Sequence, residues 1–168
     1  MSQCKIRIGF GFDVHQLTEG RDLWLGGIKI DHTLGLLGHS DADVLVHAIC
    51  DAILGAANMR DIGYHFPPKK GNEFENIDSK KLLRRTLDIV AAKEYSIGNI
   101  DCTICAERPK LNPHIPQMQE TLANVMGIDI DDISIKATTT EKLGFTGREE
   151  GISAYAVVLL EKADSPHF

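Results

Sequence analysis

The stretch VLVHAICDAILGAA, residues 44–57, constrains the fold more than any other part of this chain. It is apolar nearly all round, so as a helix it has no water-facing side and must lie between other layers of structure. The exceptions are Asp43 just ahead of it, His47 and Asp51, spaced i, i+4 and i+8 on one stripe. Such a stripe needs partners, because an unsatisfied buried polar group costs about 1–3 kcal/mol. Two readings are open from the helix alone: a hydrogen-bonded core histidine flanked by carboxylates, or a ligand.

A second segment bears on that choice. GFDVHQL, residues 11–17, reads as strand, and strand alternation puts Asp13 and His15 on one face with Val14 on the other. That spacing suits metal ligands and equally suits an ordinary solvent-facing strand. With His47 the pair becomes a two-histidine, one-carboxylate set with an open fourth position, as catalytic zinc sites have. Asp51 or Asp43 would then orient a histidine from behind.

The remaining pattern predicts one α+β domain over residues 1–168, a mixed sheet with helices packed on one face. Residues 5–15 read as a strand, and 22–30 as a second interrupted at Gly26-Gly27 by a bulge or turn. Ser40 followed by Asp43 fits a capping box that starts the buried helix, which runs to about Asn58. Residues 60–76 lack periodicity and read as a long binding loop. A helix capped by Asp78 or Ser79 turns Leu82, Leu83, Leu87 and Val90 inward. Strand, helix and strand follow, then an irregular stretch from Thr138 to Gly151 and a last strand. That strand is apolar on both faces around Ala156 and Leu160, so its second face needs cover, most simply another copy of the chain.

Composition excludes some classes. The 168 residues carry a net charge of -6 with no basic arm, which argues against a nucleic-acid partner. An acidic chain that binds an anion needs placed cations or a metal. No apolar run reaches membrane-spanning length, and the first residues lack the apolar core of a signal peptide, so a cytoplasmic location is expected. Cys102 and Cys105 form a C-x-x-C, but on a strand i and i+3 face opposite ways and the thiols should not converge.

Three polar motifs remain. HSDAD places His39 and Ser40 where the start of the buried helix favours a phosphate. ERPK brings Arg108 and Lys110 to a strand end, and KATTTEKLGFTGR gathers four hydroxyls, a carboxylate and three cations. Capping is the first explanation for Ser40, and Thr-rich turns usually satisfy their own backbone.

RIGFGFDVH, LLGHSDADVLVH, DIGYHFP, PHIPQM and KATTTEKLGFTGR stand together in the order, and nearly the spelling, of the 2-C-methyl-D-erythritol 2,4-cyclodiphosphate synthase family, which the chain resembles from Arg7 to about Lys162. The resemblance implies that Asp13, His15 and His47 bind zinc or another divalent ion. It makes His39 and Thr139 the transition-state stabilisers, with Asp13, His15, His39 and Ser40 contacting substrate. Asp61, Ile62, Gly63 and Phe66 fall on the methylerythritol side. The stretch from Ala106 through Asn112, above all Ala106, Pro109, Lys110 and Leu111, falls on the cytidine and diphosphate side together with Thr138, Thr139, Thr140 and Glu141, with Glu141 holding a magnesium or manganese ion. Phe145 and Arg148 complete the binding positions. The family is a homotrimer with active sites between subunits, and an isoprenoid diphosphate in its central cavity is a further ligand left open. Two departures stand out: Phe10 replaces the family's histidine in Gly-His-Gly-Phe-Asp-Val-His, and FPPKK replaces its Phe-Pro-Asp-Thr-Asp loop at Phe66, Pro67, Pro68, Lys69 and Lys70.

The implied reaction is a metal-assisted intramolecular phosphoryl transfer of the non-mevalonate isoprenoid pathway, yielding the cyclic diphosphate and CMP from a cytidine diphosphate substrate. A phosphorus-oxygen lyase of this kind competes with two other readings of the same ligands: a zinc-dependent phosphoester hydrolase, and a non-catalytic metal or nucleotide sensor.

Overall fold

The computed structural model describes residues 5–67, 73–74 and 77–163. Its layout turns on two glycines. β1 (Ile6–Thr18) lies under α1 (Val44–Ala56), and the strand positions that face the helix begin with Gly9 and Gly11. A Cβ on Gly9 would lie 1.8 Å from the Ala52 carbonyl oxygen, and one on Gly11 1.9 Å from that of Ala48. Ala48, Ala52 and Ala56 are spaced one helical turn apart. Helix and strand therefore meet backbone to backbone, closer than side chains would allow.

The chain continues through β2 (Leu23–Leu25), β3 (Ile28–Ile30), β4 (Gly35–Leu36), α1, α2 (Ile62–His65), α3 (Ser79–Ala91), β5 (Tyr95–Cys105), α4 (Ile115–Met126), β6 (Ile133–Thr138), α5 (Gly144–Gly147) and β7 (Gly151–Lys162). The main sheet has the order β4-β1-β7-β5-β6, with β7 antiparallel to both neighbours and β5 parallel to β6 across the α4 crossover. This is the expected α+β class with a mixed sheet. The interrupted strand at 22–30 resolves into a separate hairpin, β2 with β3, because Gly26 and Gly27 both take left-handed φ, +62° and +77°, as a tight two-residue turn requires.

The start of α1 differs from the capping-box expectation. Ala42 has φ 58°, which takes residues 40–42 out of the helix, and Asp43 rather than Ser40 is the cap. Asp43 Oδ1 accepts from Val46 N at 3.1 Å and Gly26 N at 3.0 Å, while Oδ2 accepts from Gly27 N at 2.6 Å. One buried carboxylate thus ends the hairpin turn and begins the helix. Ser40 Oγ instead accepts from Ala42 N at 3.0 Å. Asp78 is the cap of α3.

The helices cover one face. On the other, Ile8 (71%), Phe10 (62%), Phe12 (43%) and Val14 (42%) of β1 stand exposed beside Tyr155 and Val157 of β7. Phe10 and Val157 are register partners, as are Phe12 and Tyr155, whose ring centroids are 5.0 Å apart. Buried Cys102 and half-buried Cys105 are both free thiols. No helix among the described residues is long and apolar enough to cross a membrane.

Candidate active site

Past Gly11 the helix-facing positions of β1 are Asp13 and His15, and α1 presents His47 against them. Asp13 Oδ2 lies 3.0 Å from His15 Nε2 and 2.9 Å from His47 Nδ1, and the two nitrogens are 3.4 Å apart. Metal–ligand bonds near 2.0 Å place tetrahedral donors about 3.3 Å apart, so three corners of such a site stand ready. The donor chemistry, two imidazoles and a carboxylate, fits a borderline divalent ion such as zinc.

Backbone and hydroxyl groups set the rings. His15 Nδ1 donates to the Leu37 carbonyl at 2.7 Å, which turns the Nε2 lone pair toward Asp13 and His47. His47 Nε2 faces the hydroxyls of Ser40 at 3.4 Å and Ser79 at 3.5 Å. Ser79 is held in turn by Asp41, which accepts from its hydroxyl and, at 2.9 Å, from its N–H. The expectation that Asp51 or Asp43 orients a histidine is corrected: Asp43 is committed to three backbone N–H groups, and Asp51 Oδ1 accepts from Ile62 N at 2.8 Å. Burial alone would raise the Asp13 carboxyl, but hydrogen bonds to His15 and His47 outweigh it and hold it at about 2. Burial alone would lower His15, yet the Asp13 carboxylate raises it above its ordinary value. A divalent ion would replace the protons that this arrangement attracts.

A cavity of about 250 Å³ opens from the three donors, bounded by His39, Ser40, Ile62, Gly63 and Phe66, with Phe74, Ile77 and Leu82 as its apolar wall. Asp61 caps the single turn of α2 through Tyr64 N at 2.8 Å. Pro68, Lys69 and Lys70 of the FPPKK segment lie outside the described residues.

A second cavity, about 420 Å³, is lined by Ala106, Pro109, Lys110, Leu111, Thr138 and Thr139, together with Glu107, Asn112, Pro113 and Ala137. Glu107, which falls in the 106–112 stretch that the resemblance implicates but had no role of its own there, organises its rim. Its Oε1 accepts from Thr140 N at 3.0 Å and Lys142 N at 3.1 Å. That clamp holds a loop in which Glu141 and Lys142 take left-handed φ, 52° and 65°. Thr139 Oγ1 donates to Glu141 Oε1 at 3.4 Å. Phe145 is 40% exposed beside a third cavity, of about 330 Å³. Arg148 is paired in two bonds with Glu150, at 2.8 and 3.1 Å.

Asp13, Ala154, Ile104 and Ala137 are successive register partners, so both cavities lie at one end of the sheet. β1 and β6 are three strand spacings apart, roughly 14 Å. The two cavities share no lining residue.

These features describe an α+β protein with a candidate divalent-metal centre beside a second, loop-walled pocket. The chain belongs to the YgbB family, whose family model matches residues 6–161. It is 77% identical over 158 residues to the 2-C-methyl-D-erythritol 2,4-cyclodiphosphate synthase of Bacteroides fragilis, covering 94% of this chain and 99% of that one. Among solved structures it is similar to the bifunctional IspDF of Campylobacter jejuni, with TM-score 0.90 and 44% identity, over 95% of this chain but 43% of that longer one. It is also similar to the Plasmodium falciparum IspF complex with CDP, with TM-score 0.84 and 37% identity, over 97% of this chain and 100% of that one.

Proposed function

We infer that this chain converts 4-diphosphocytidyl-2-C-methyl-D-erythritol 2-phosphate to 2-C-methyl-D-erythritol 2,4-cyclodiphosphate and CMP, as a phosphorus-oxygen lyase of isoprenoid precursor synthesis. The observation that carries this reading is the 77% identity, over 94% of this chain, to a synthase of that name. The converging donor set of Asp13, His15 and His47 supports it.

In the reaction a 2-phosphate oxygen of the substrate forms a bond to the β-phosphorus, and the bond from that phosphorus to the CMP oxygen breaks. No water is consumed. The obstacle is the approach of one anion to another, so positioning and charge stabilisation supply most of the rate. When bound, a zinc-class ion held by Asp13, His15 and His47, and a magnesium or manganese ion held through Glu141, supply Lewis-acid stabilisation of the phosphate oxygens.

The side chains divide the remaining work. His39 and Ser40, which border the cavity with the three donors, donate to phosphate oxygens. Asp61, Ile62 and Gly63 hold the methylerythritol hydroxyls, and Phe66 closes the apolar side. Ala106, Pro109, Lys110 and Leu111 take the cytidine. Thr138, Thr139, Thr140 and Glu141 take the diphosphate, with Thr139 the second stabiliser.

The working unit is a homotrimer in which the metal side of one subunit meets the cytidine side of the next. Two features support it: the exposed apolar face of β1 and β7, and the separation of the two cavities within one chain. Phe145 and Arg148 belong to its axial region, where an isoprenoid diphosphate would meet Arg148 already paired with Glu150. The location is cytoplasmic.

Phosphorus NMR of the products tests the reaction. The cyclic diphosphate with an equal amount of CMP is expected, whereas a hydrolase would yield an open phosphate and a sensor no product. Sedimentation at micromolar concentration tests the trimer, and an active monomer would refute it.

A further inference from the structure

A cavity of about 510 Å³ that the cyclisation does not use lies where α1 and α3 end and where the outer ends of β5 and β7 pair. Its volume is within the range of small-molecule sites. Arg60, Lys93 and Lys162 line it, and no carboxylate does. In a chain of net charge -6 this runs against the overall balance. The ion pairs among the described residues take other cations. Two of the three heads rest on aromatic rings: Arg60 Cζ is 4.4 Å from the Tyr64 centroid, and Lys162 Nζ is 5.6 Å from that of Tyr95. Such contacts hold a cation in place without cancelling its charge. Arg60 also has φ 67°, a left-handed conformation uncommon for a residue with a side chain, and such residues recur at ligand clamps.

We propose that this cavity binds a small phosphate-bearing anion at a site separate from the cyclisation site. Three cations lining one cavity match the several oxygens and multiple charge of a phosphate or diphosphate group. The short helix α2 joins the two sites. Ile62 and Gly63 line the metal-side cavity, whereas Tyr64 and His65 line this one. His65 Nε2 donates to the Met59 carbonyl at 2.7 Å and fastens α2 to the loop that carries Arg60. An anion bound here therefore bears on the segment assigned to the methylerythritol hydroxyls.

Hydrogen exchange read by mass spectrometry on the full zinc-loaded protein, with inorganic pyrophosphate as the probe, tests the site. Slower exchange is expected in peptides covering residues 57–66 and 91–97. In the variant Arg60→Ala/Lys93→Ala/Lys162→Ala the same protection should need about tenfold more pyrophosphate or worse. Peptides covering 106–112 and 138–142 should respond as in the native protein. Lys93→Glu alone, at an exposed position, is the second variant, with protection at 57–66 several-fold weaker. Absence of protection at 57–66 in the native protein at millimolar pyrophosphate would overturn the proposal. So would equal protection in both variants.

Discussion

Asp13, His15 and His47 stand on a strand and a helix pressed backbone to backbone, whereas Thr138, Thr139 and Glu141 stand at the end of a strand and on a loop held by one carboxylate. The first group is positioned by core packing, which admits no displacement without cost to the whole domain. The second is exposed and rests on hydrogen bonds to Glu107. Damage to the first region should therefore register as lost folding or lost metal. Damage to the second should register as lost substrate affinity in a protein that is otherwise intact.

The strongest way to break this comparison is Gly11→Ala. The added Cβ would lie 1.9 Å from the Ala48 carbonyl oxygen and 2.7 Å from Ala52 N, both backbone atoms. The helix must lift from the strand, at a cost of about 3 kcal/mol or more, a large share of a typical domain's stability of roughly 5–15 kcal/mol. Lowered melting temperature and loss of bound zinc together are expected. A variant that melts like the native protein would show that the close approach of α1 to β1 is not what positions His47.

His47→Ala separates metal from fold. The protein should remain folded by circular dichroism yet lose zinc and turnover, because two donors remain of three. Full zinc stoichiometry by elemental analysis would remove His47 from the donor set.

Glu107→Ala addresses the second region. Releasing the N–H groups of Thr140 and Lys142 frees the loop, and losing one charge-assisted bond, about 1.5–3 kcal/mol, corresponds to a rise in KM of about tenfold or more. Zinc content and melting temperature should stay near native values. If zinc were lost, the two regions would be coupled through more than the substrate.

What the sequence alone disclosed follows the same division. The buried helix, the strand pair Asp13 and His15, and the α+β class were legible because periodicity reports directly on packing. The spacing of Gly9 and Gly11 stands in the sequence too, but alternation with Phe10 and Phe12 marks only a two-faced strand and says nothing about how near the helix comes. The cap was misplaced at Ser40 because a capping-box pattern carries no information on the left-handed φ of Ala42 or on the Gly26-Gly27 turn that Asp43 binds. Local pattern offers Ser79 only as a cap candidate and Glu107 only as part of ERPK; their actual partners lie 38 and 33 residues away, beyond its reach.

The smallest effect expected within the metal region itself comes from Ser79→Ala. His47 Nε2 points away from the other two donors, and groups behind a metal-bound imidazole fix its orientation, with typical losses of about 10–100-fold on substitution. Here two hydroxyls share that task, Ser40 at 3.4 Å and Ser79 at 3.5 Å, and both contacts are long. The Ser79 N–H would keep its 2.9 Å bond to Asp41, so the start of α3 should not shift. Removing one of two weak, overlapping partners should therefore lower zinc affinity by only about two- to fivefold, well under that range. The expected signature is a faster loss of zinc to a chelator, with KM unchanged because the second cavity is untouched. A loss near a hundredfold would mean that Asp41 and Ser79 act on His47 as a unit, with Ser40 contributing little. No change at all would leave Ser40 as the hydroxyl that orients His47.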